Sequence, residues 1–133
     1  MKRSAAFALL AAGSLCILVE SAAADPDYDQ CIDDSREREF AACGVAWVER
    51  EDRRLNAAWR ELLPLLEGDE RAALVAEQRA WIAFNENSCD YLYTDRWGTI
   101  GRNTWYPRCR ADIIIARTAQ LRDLRAWIAD QGE

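Results

Sequence analysis

The stretch Glu77-Gln78-Arg79-Ala80-Trp81-Ile82-Ala83-Phe84-Asn85-Glu86-Asn87-Ser88-Cys89 decides how the rest of the chain is read. At about 100° per residue, Leu74, Val75, Trp81, Ile82, Cys89 and Leu92 fall on one stripe of a helix. Gln78 and Asn85 lie in the middle of that stripe, while Glu77, Arg79 and Glu86 take the opposite face. A buried amide without partners is costly. The two amides are therefore expected to bond to a neighbouring helix or loop, or else to line a polar pocket facing a partner. Cys89 closes the stretch and asks for a second cysteine.

Compartment follows from the N-terminus. Lys2 and Arg3 precede an apolar run from Ala5 to Val19, and Ser21-Ala22-Ala23-Ala24 ends in a small-x-small pattern. Residues 1–24 thus read as a secretory signal peptide cut before Asp25, leaving one domain over residues 25–133. The apolar run is short for a membrane span, and no second one follows, so no span is expected after cleavage. Cys16 leaves with the leader. Four cysteines remain, Cys31, Cys43, Cys89 and Cys109. In an exported chain they read as two disulfides, with three connectivities open. A metal site is disfavoured by the absence of His and of any Cys-x-x-Cys pair. Losing Lys2, Arg3 and Glu20 takes the formal charge from −6 to about −7. Such a chain has little use for nucleic acid or an anionic membrane and would attract a cationic partner.

Working outward, residues 25–29 form a turn-rich entry, and Ser35 is a plausible N-cap for a helix starting near Arg36. Val45, Val48, Asp52, Leu55, Trp59, Leu62 and Leu66 keep helical spacing. Asp52 inside that stripe is expected to pair with an arginine or to cap another element, with Asn56 one turn on. Pro64 either kinks or ends this helix, and Glu67-Gly68-Asp69 makes a turn. Asp69 caps the next helix, which runs from about Glu70 to Tyr91 or Tyr93. Residues 94–107 carry two glycines, a proline and no period, and read as a loop. That loop also holds Trp97, Ile100, Trp105 and Tyr106, which either plug the end of a helical bundle or face a partner. The last helix begins near Cys109, with Ile113, Ile114, Arg117, Leu121, Leu124, Trp127 and Ile128 at helical spacing. The expected fold is all-α: a small disulfide-stapled bundle of three long helices, a short N-terminal turn or helix, and an aromatic loop between the last two helices.

These residues resemble the LprI-like lysozyme-inhibitor family of small exported bacterial proteins. Cys43 followed by Asp52, Leu55, Asn56 and Trp59 is similar to the family's cysteine and Asp-x-x-Leu-Asn-x-x-Tyr, with Trp59 in the tyrosine place. Gln78-Arg79-Ala80-Trp81-Ile82 and Cys89 resemble its Gln-Arg-x-Trp and following cysteine. Gly98-Thr99 matches its Gly-Ser/Thr, and Cys109, Arg117 and Leu121 its closing segment. The chain departs from the pattern at Asn85, where Arg is common, and at Ile115, where Thr is common. The resemblance spans most of residues 28–124.

The resemblance implies an exported binding protein, periplasmic or secreted, that blocks a cationic c-type lysozyme. The alternative is a structural or regulatory envelope protein with another partner. Nothing in the sequence supplies a catalytic set: there is no His for general-base work, no Gly-x-Ser-x-Gly elbow and no metal ligand set, so neither enzyme nor cofactor is expected. Asp52, Asn56, Gln78 and Arg117 are expected to form a structural polar network inside the bundle. Trp97, Gly98, Thr99, Ile100, Trp105 and Tyr106 form the candidate partner-binding loop. Cys89 is expected to join Cys109, because antiparallel neighbours bring the end of one helix to the start of the next. Cys31 is expected to join Cys43. On one straight helix those two would be about 18 Å apart, so a turn near residues 33–35 must fold the chain back.

Overall fold

The computed structural model describes residues 25–36 and 39–131, and within them every regular element is helical. The leader expected at residues 1–24 lies outside the described residues. Four α-helices carry the fold: α1 (Pro26–Asp34), α2 (Phe40–Leu62), α3 (Gly68–Asn87) and α4 (Tyr106–Gln131). The last three are the expected long helices.

The N-terminal entry is a helix and not a run of turns. Asp25 caps α1 by accepting a hydrogen bond from the Tyr28 N–H at 2.9 Å, and Pro26 fills the first helical position, where a missing N–H costs nothing. Ser35 ends α1 instead of starting α2, which begins at Phe40. That break turns the chain back on itself and lets Cys31 bond Cys43 with their Cα atoms 5.7 Å apart. Tyr28 then lies against Trp47, ring centres 4.5 Å apart, and both are buried.

Pro64 ends α2: the chain tightens into a 3-10 turn, Leu63–Leu65, before α3. The start of α3 falls two residues before the expected Glu70, Asp69 sits in its first turn and not at its cap, and the helix ends at Asn87, with a 3-10 turn over Asp90–Tyr93 where it was expected to continue. At the other end, Tyr106 and Pro107 begin α4 ahead of the expected Cys109.

Helices α2 and α4 run side by side in the same direction. Gly44 meets Pro107 at their starts, and Glu61 meets Arg125 toward their ends, 3.7 Å away. Small residues let them approach: Ala58 and Ala111 are buried in the interface, and a β-carbon at Gly44 would collide with the Pro107 ring. Leu55, Leu62, Ile114 and Leu121 fill the space between. Helix α3 returns antiparallel along α4, shown by the pairing of Gln78 with Arg117 and of Cys89 with Cys109. Its contribution to the core is narrower, centred on Leu74.

The buried face of α2 differs from the expected stripe. Trp47, Glu51, Leu55, Ala58 and Leu62 form it, whereas Val45 is 58% exposed and Asp52 is half-buried. Leu55 and Leu62 belong to both stripes, which is why the reading slipped by about one residue, or 100° of rotation. On α3, Leu74 and Asn85 are buried, Gln78 and Trp81 half-buried, and Ile82 exposed.

Candidate functional site

The aromatic segment, residues 97–106, is mostly helical and not a loop. After α3, a 3-10 turn Asp90–Tyr93 ends where the Thr94 hydroxyl donates to the Tyr91 carbonyl at 2.9 Å. Gly98, at φ +56°, supplies a left-handed turn that suits glycine. One helical turn, Gly98–Ile100, and a π turn, Gly101–Trp105, then lead straight into α4. Gly101 is buried, and a β-carbon there would strike the Trp97 side chain and lie 2.7 Å from the Leu92 carbonyl. The disulfide of Cys89 with Cys109, Cα atoms 6.1 Å apart, clamps both ends of this region.

That local packing decides where the aromatics go. Leu92 and Gly101 are buried here, Gly101 against Trp97. The aromatic rings pair with one another: Trp97 edge-on to Trp105 at 5.3 Å, and Tyr93 edge-on to Tyr106 at 4.5 Å. Trp105 and Ile100 are each 42% exposed, and Tyr93 is 54% exposed. Three arginines flank them. The Arg96 guanidinium lies 5.4 Å from the Trp97 ring centre, Arg110 lies 5.9 Å from that of Tyr106, and Arg110 also donates to the Tyr106 hydroxyl at 3.1 Å. Arg102 and Arg110 line a cleft of about 200 Å³ together with Val45, Val48, Tyr93 and Asn103.

The expected polar network is split. Arg117, buried on α4, donates from Nε to the Gln78 amide oxygen at 2.9 Å, and from Nη1 to Glu77 and to Gln120 at 2.7 Å. Asp52 and Asn56 do not join it. The Asn56 amide donates to the backbone carbonyl of Asp52 at 2.8 Å, within α2, and the Asp52 carboxylate has no hydrogen-bond partner among the described residues. The rotation of α2 explains this, since it turns Asp52 off the core-facing line. Burial pushes the Asp52 carboxyl above its ordinary pKa, Arg110 pulls it back, and Glu49 adds to the rise. Asn85 is buried with its amide oxygen unpartnered.

The sequence reading missed a second polar cluster, at the start of the fold. Glu51 is 3% exposed and pairs with Arg54, while Asp25 is 7% exposed and accepts from Arg50 at 2.7 Å. Burial raises the Asp25 carboxyl. The Arg50 and Tyr28 hydrogen bonds and the charges of Arg50 and Arg54 more than offset it, so it lies below its ordinary pKa. Asp25, Glu51 and Arg54 border a cleft of about 390 Å³ with Thr118 and Arg122. The signal for Glu51 was present: it stands four residues from Trp47 and four from Leu55, inside an otherwise charged run.

Among the described residues no cluster of His, Cys, Asp and Glu could hold a metal, and no helix is long and apolar enough to cross a membrane. Comparison with curated proteins and with solved structures found no match to either. Comparison with protein families did: the family described as lysozyme inhibitor LprI matches residues 29–121. That span runs from α1 through both disulfides to the buried Leu121, and it takes in the Gln78–Arg117 pair and the aromatic segment. The chain belongs to the LprI lysozyme-inhibitor family.

Proposed function

We propose that this protein, exported to the periplasm or beyond after cleavage before Asp25, binds and blocks a cationic c-type lysozyme through residues 97–106. The family match supports a lysozyme-inhibitor role, and two disulfides suit an oxidising, extracytoplasmic setting. The observation that carries the choice of surface is the exposure of Tyr93, Ile100 and Trp105 on a segment clamped by a disulfide. Aromatic anchors dominate many interfaces, and a braced segment loses little freedom on binding. The excess of acids over bases would steer the chain toward a cationic enzyme and lend the association rate a salt dependence.

The test is a lysozyme inhibition assay with the oxidised protein. Inhibition should weaken at least tenfold in Trp105→Ala while the far-ultraviolet spectrum and unfolding midpoint hold. A folded Trp105→Ala that inhibits like the parent removes these residues as the inhibitory surface. A parent that fails to inhibit removes the lysozyme partner and leaves an envelope protein acting on something else.

A further inference from the structure

A further cavity lies at the opposite end of the bundle, between α3 and the C-terminal part of α4. It is a groove of about 570 Å³. Its walls are apolar: Leu65 and Leu66 from the turn after α2, Ala73 and Leu74 from α3, and Leu124, Trp127 and Ile128 from α4. Two of the large ones are open to solvent, with Trp127 61% and Leu65 47% exposed. Leu66 and Leu74 are buried beneath them and tie the groove floor to the core.

The charged residues lining the groove are of one sign. Glu70 and Glu77 stand on its α3 wall, and no arginine lines it. Glu77 shares its charge with Arg117, whereas Glu70 makes no ion pair among the described residues. The turn feeding α3 adds Glu67 and Asp69, both exposed. The cleft at the aromatic end is of mixed sign, with Glu49 beside Arg102 and Arg110.

We infer that the groove between α3 and α4 is a docking site for a cationic amphipathic segment of a partner protein. One or two apolar side chains would enter beside Trp127 and Leu74, and Lys or Arg would lie along Glu70 and Glu77. The spacing of apolar residues on both walls suits a short helix laid along the groove, the mode in which an amphipathic helix presents anchors at successive turns. An exposed tryptophan beside a buried leucine floor is the kind of anchor pair that dominates such contacts, and the acidic rim speeds encounter with a basic segment. The inference does not depend on lysozyme being the partner.

The experiment titrates the oxidised protein, isotopically labelled, with three 14-residue probes: a Leu/Lys amphipathic helix, its Leu/Glu counterpart, and a Leu/Lys peptide of the same composition scrambled to remove the apolar face. The Leu/Lys helix should shift amide signals of residues 65–77 and 124–131 and bind at least tenfold more tightly than either control. Trp127→Ser and Glu70→Lys, both at exposed positions, should each weaken binding tenfold or more without moving the unfolding midpoint. Equal binding of the scrambled peptide, unchanged affinity in both variants, or shifts confined to residues 91–110 would each overturn the inference. So would concentration-dependent shifts of the groove signals without peptide, because the occupant is then a second copy of this chain. Lysozyme inhibition that survives Trp127→Ser leaves the groove site standing, and failure of the unmutated, fully inhibitory protein to bind the Leu/Lys helix counts against the groove alone.

Discussion

The two ends of this bundle solve the same problem in different ways. Both must finish a layer of helices and leave apolar side chains with somewhere to go. The end nearest the second disulfide is braced: Cys89 is bonded to Cys109, Gly101 packs without a side chain against Trp97 and Leu92, and the rings pair among themselves. The end at the α2 to α3 turn has no cross-link. Its apolar residues line an open groove between α3 and α4. A covalent clamp and a buried glycine leave no room for side chains to rearrange, whereas noncovalent walls around an open space can shift. The braced end is suited to presenting a fixed surface and the open end to accommodating one.

The largest effect that would test this contrast comes from the clamp. Replacing Cys89 and Cys109 together with Ser removes a cross-link across a separation of 20 residues, which should cost about 3 kcal/mol in urea unfolding. Proteolysis should then cut first within residues 90–105. If cleavage begins instead at the α2 to α3 turn, the clamp is not what orders the aromatic end. Next comes Leu74→Ala at the open end. This leucine is buried, but it borders the groove, so neighbouring walls can close on the lost volume; the cost should sit near the low side of the usual range, about 2 kcal/mol. A loss of about 4 kcal/mol or more would mean that the open end is as rigid as the braced one.

The smallest effect concerns Asp52, beside Arg110. Its folded carboxyl is raised above its ordinary pKa, so between the unfolded and folded values the folded state binds more protons than the unfolded state. Stability associated with this group is full below the unfolded value and falls as pH rises through the folded one. Asp52→Asn should therefore melt slightly higher than the parent at pH 7 and the same as the parent at pH 3. Asp25 has the opposite sign: its depressed carboxyl adds stability above the ordinary carboxylate range, lost as pH falls through its folded value. A drop in midpoint for Asp52→Asn at pH 7 would show that the carboxylate has an ionic partner after all.

Much of the architecture was legible because apolar spacing and cysteines are read directly. Leu74 and Cys89 anchor α3, Leu55 and Leu62 anchor α2, and Ile114 and Leu121 anchor α4, all at helical spacing. Less legible was the rotation of α2. Val45 and Val48 suggested one face, yet Gly44 and Ala58 set the other, because close approach to α4 rewards small residues that carry little hydrophobic signal. Glu51 and Asp52 exchanged roles for the same reason. Helicity of residues 98–105 was also out of reach, since it depends on Gly101 meeting Trp97 and Leu92 and not on local period. Arg117 could be named in advance as a network member, but its partners depend on the distance between α3 and α4, which no spacing rule supplies.

Helices α2 and α4 are the most extensively packed pair, yet all of α3 separates them along the chain. Neither disulfide joins them: one ties α1 to α2 and the other ties α3 to α4. The oxidised but unfolded chain therefore carries two small closed rings on an otherwise free thread. Its principal interface must still be found by diffusion, against the entropy of closing a long loop. The cross-links shorten the search within each half and leave the search between halves untouched. Assembly speed should thus respond most to residues such as Ala58, Ala111 and Ile114, where the two halves meet, and least to the bridges themselves.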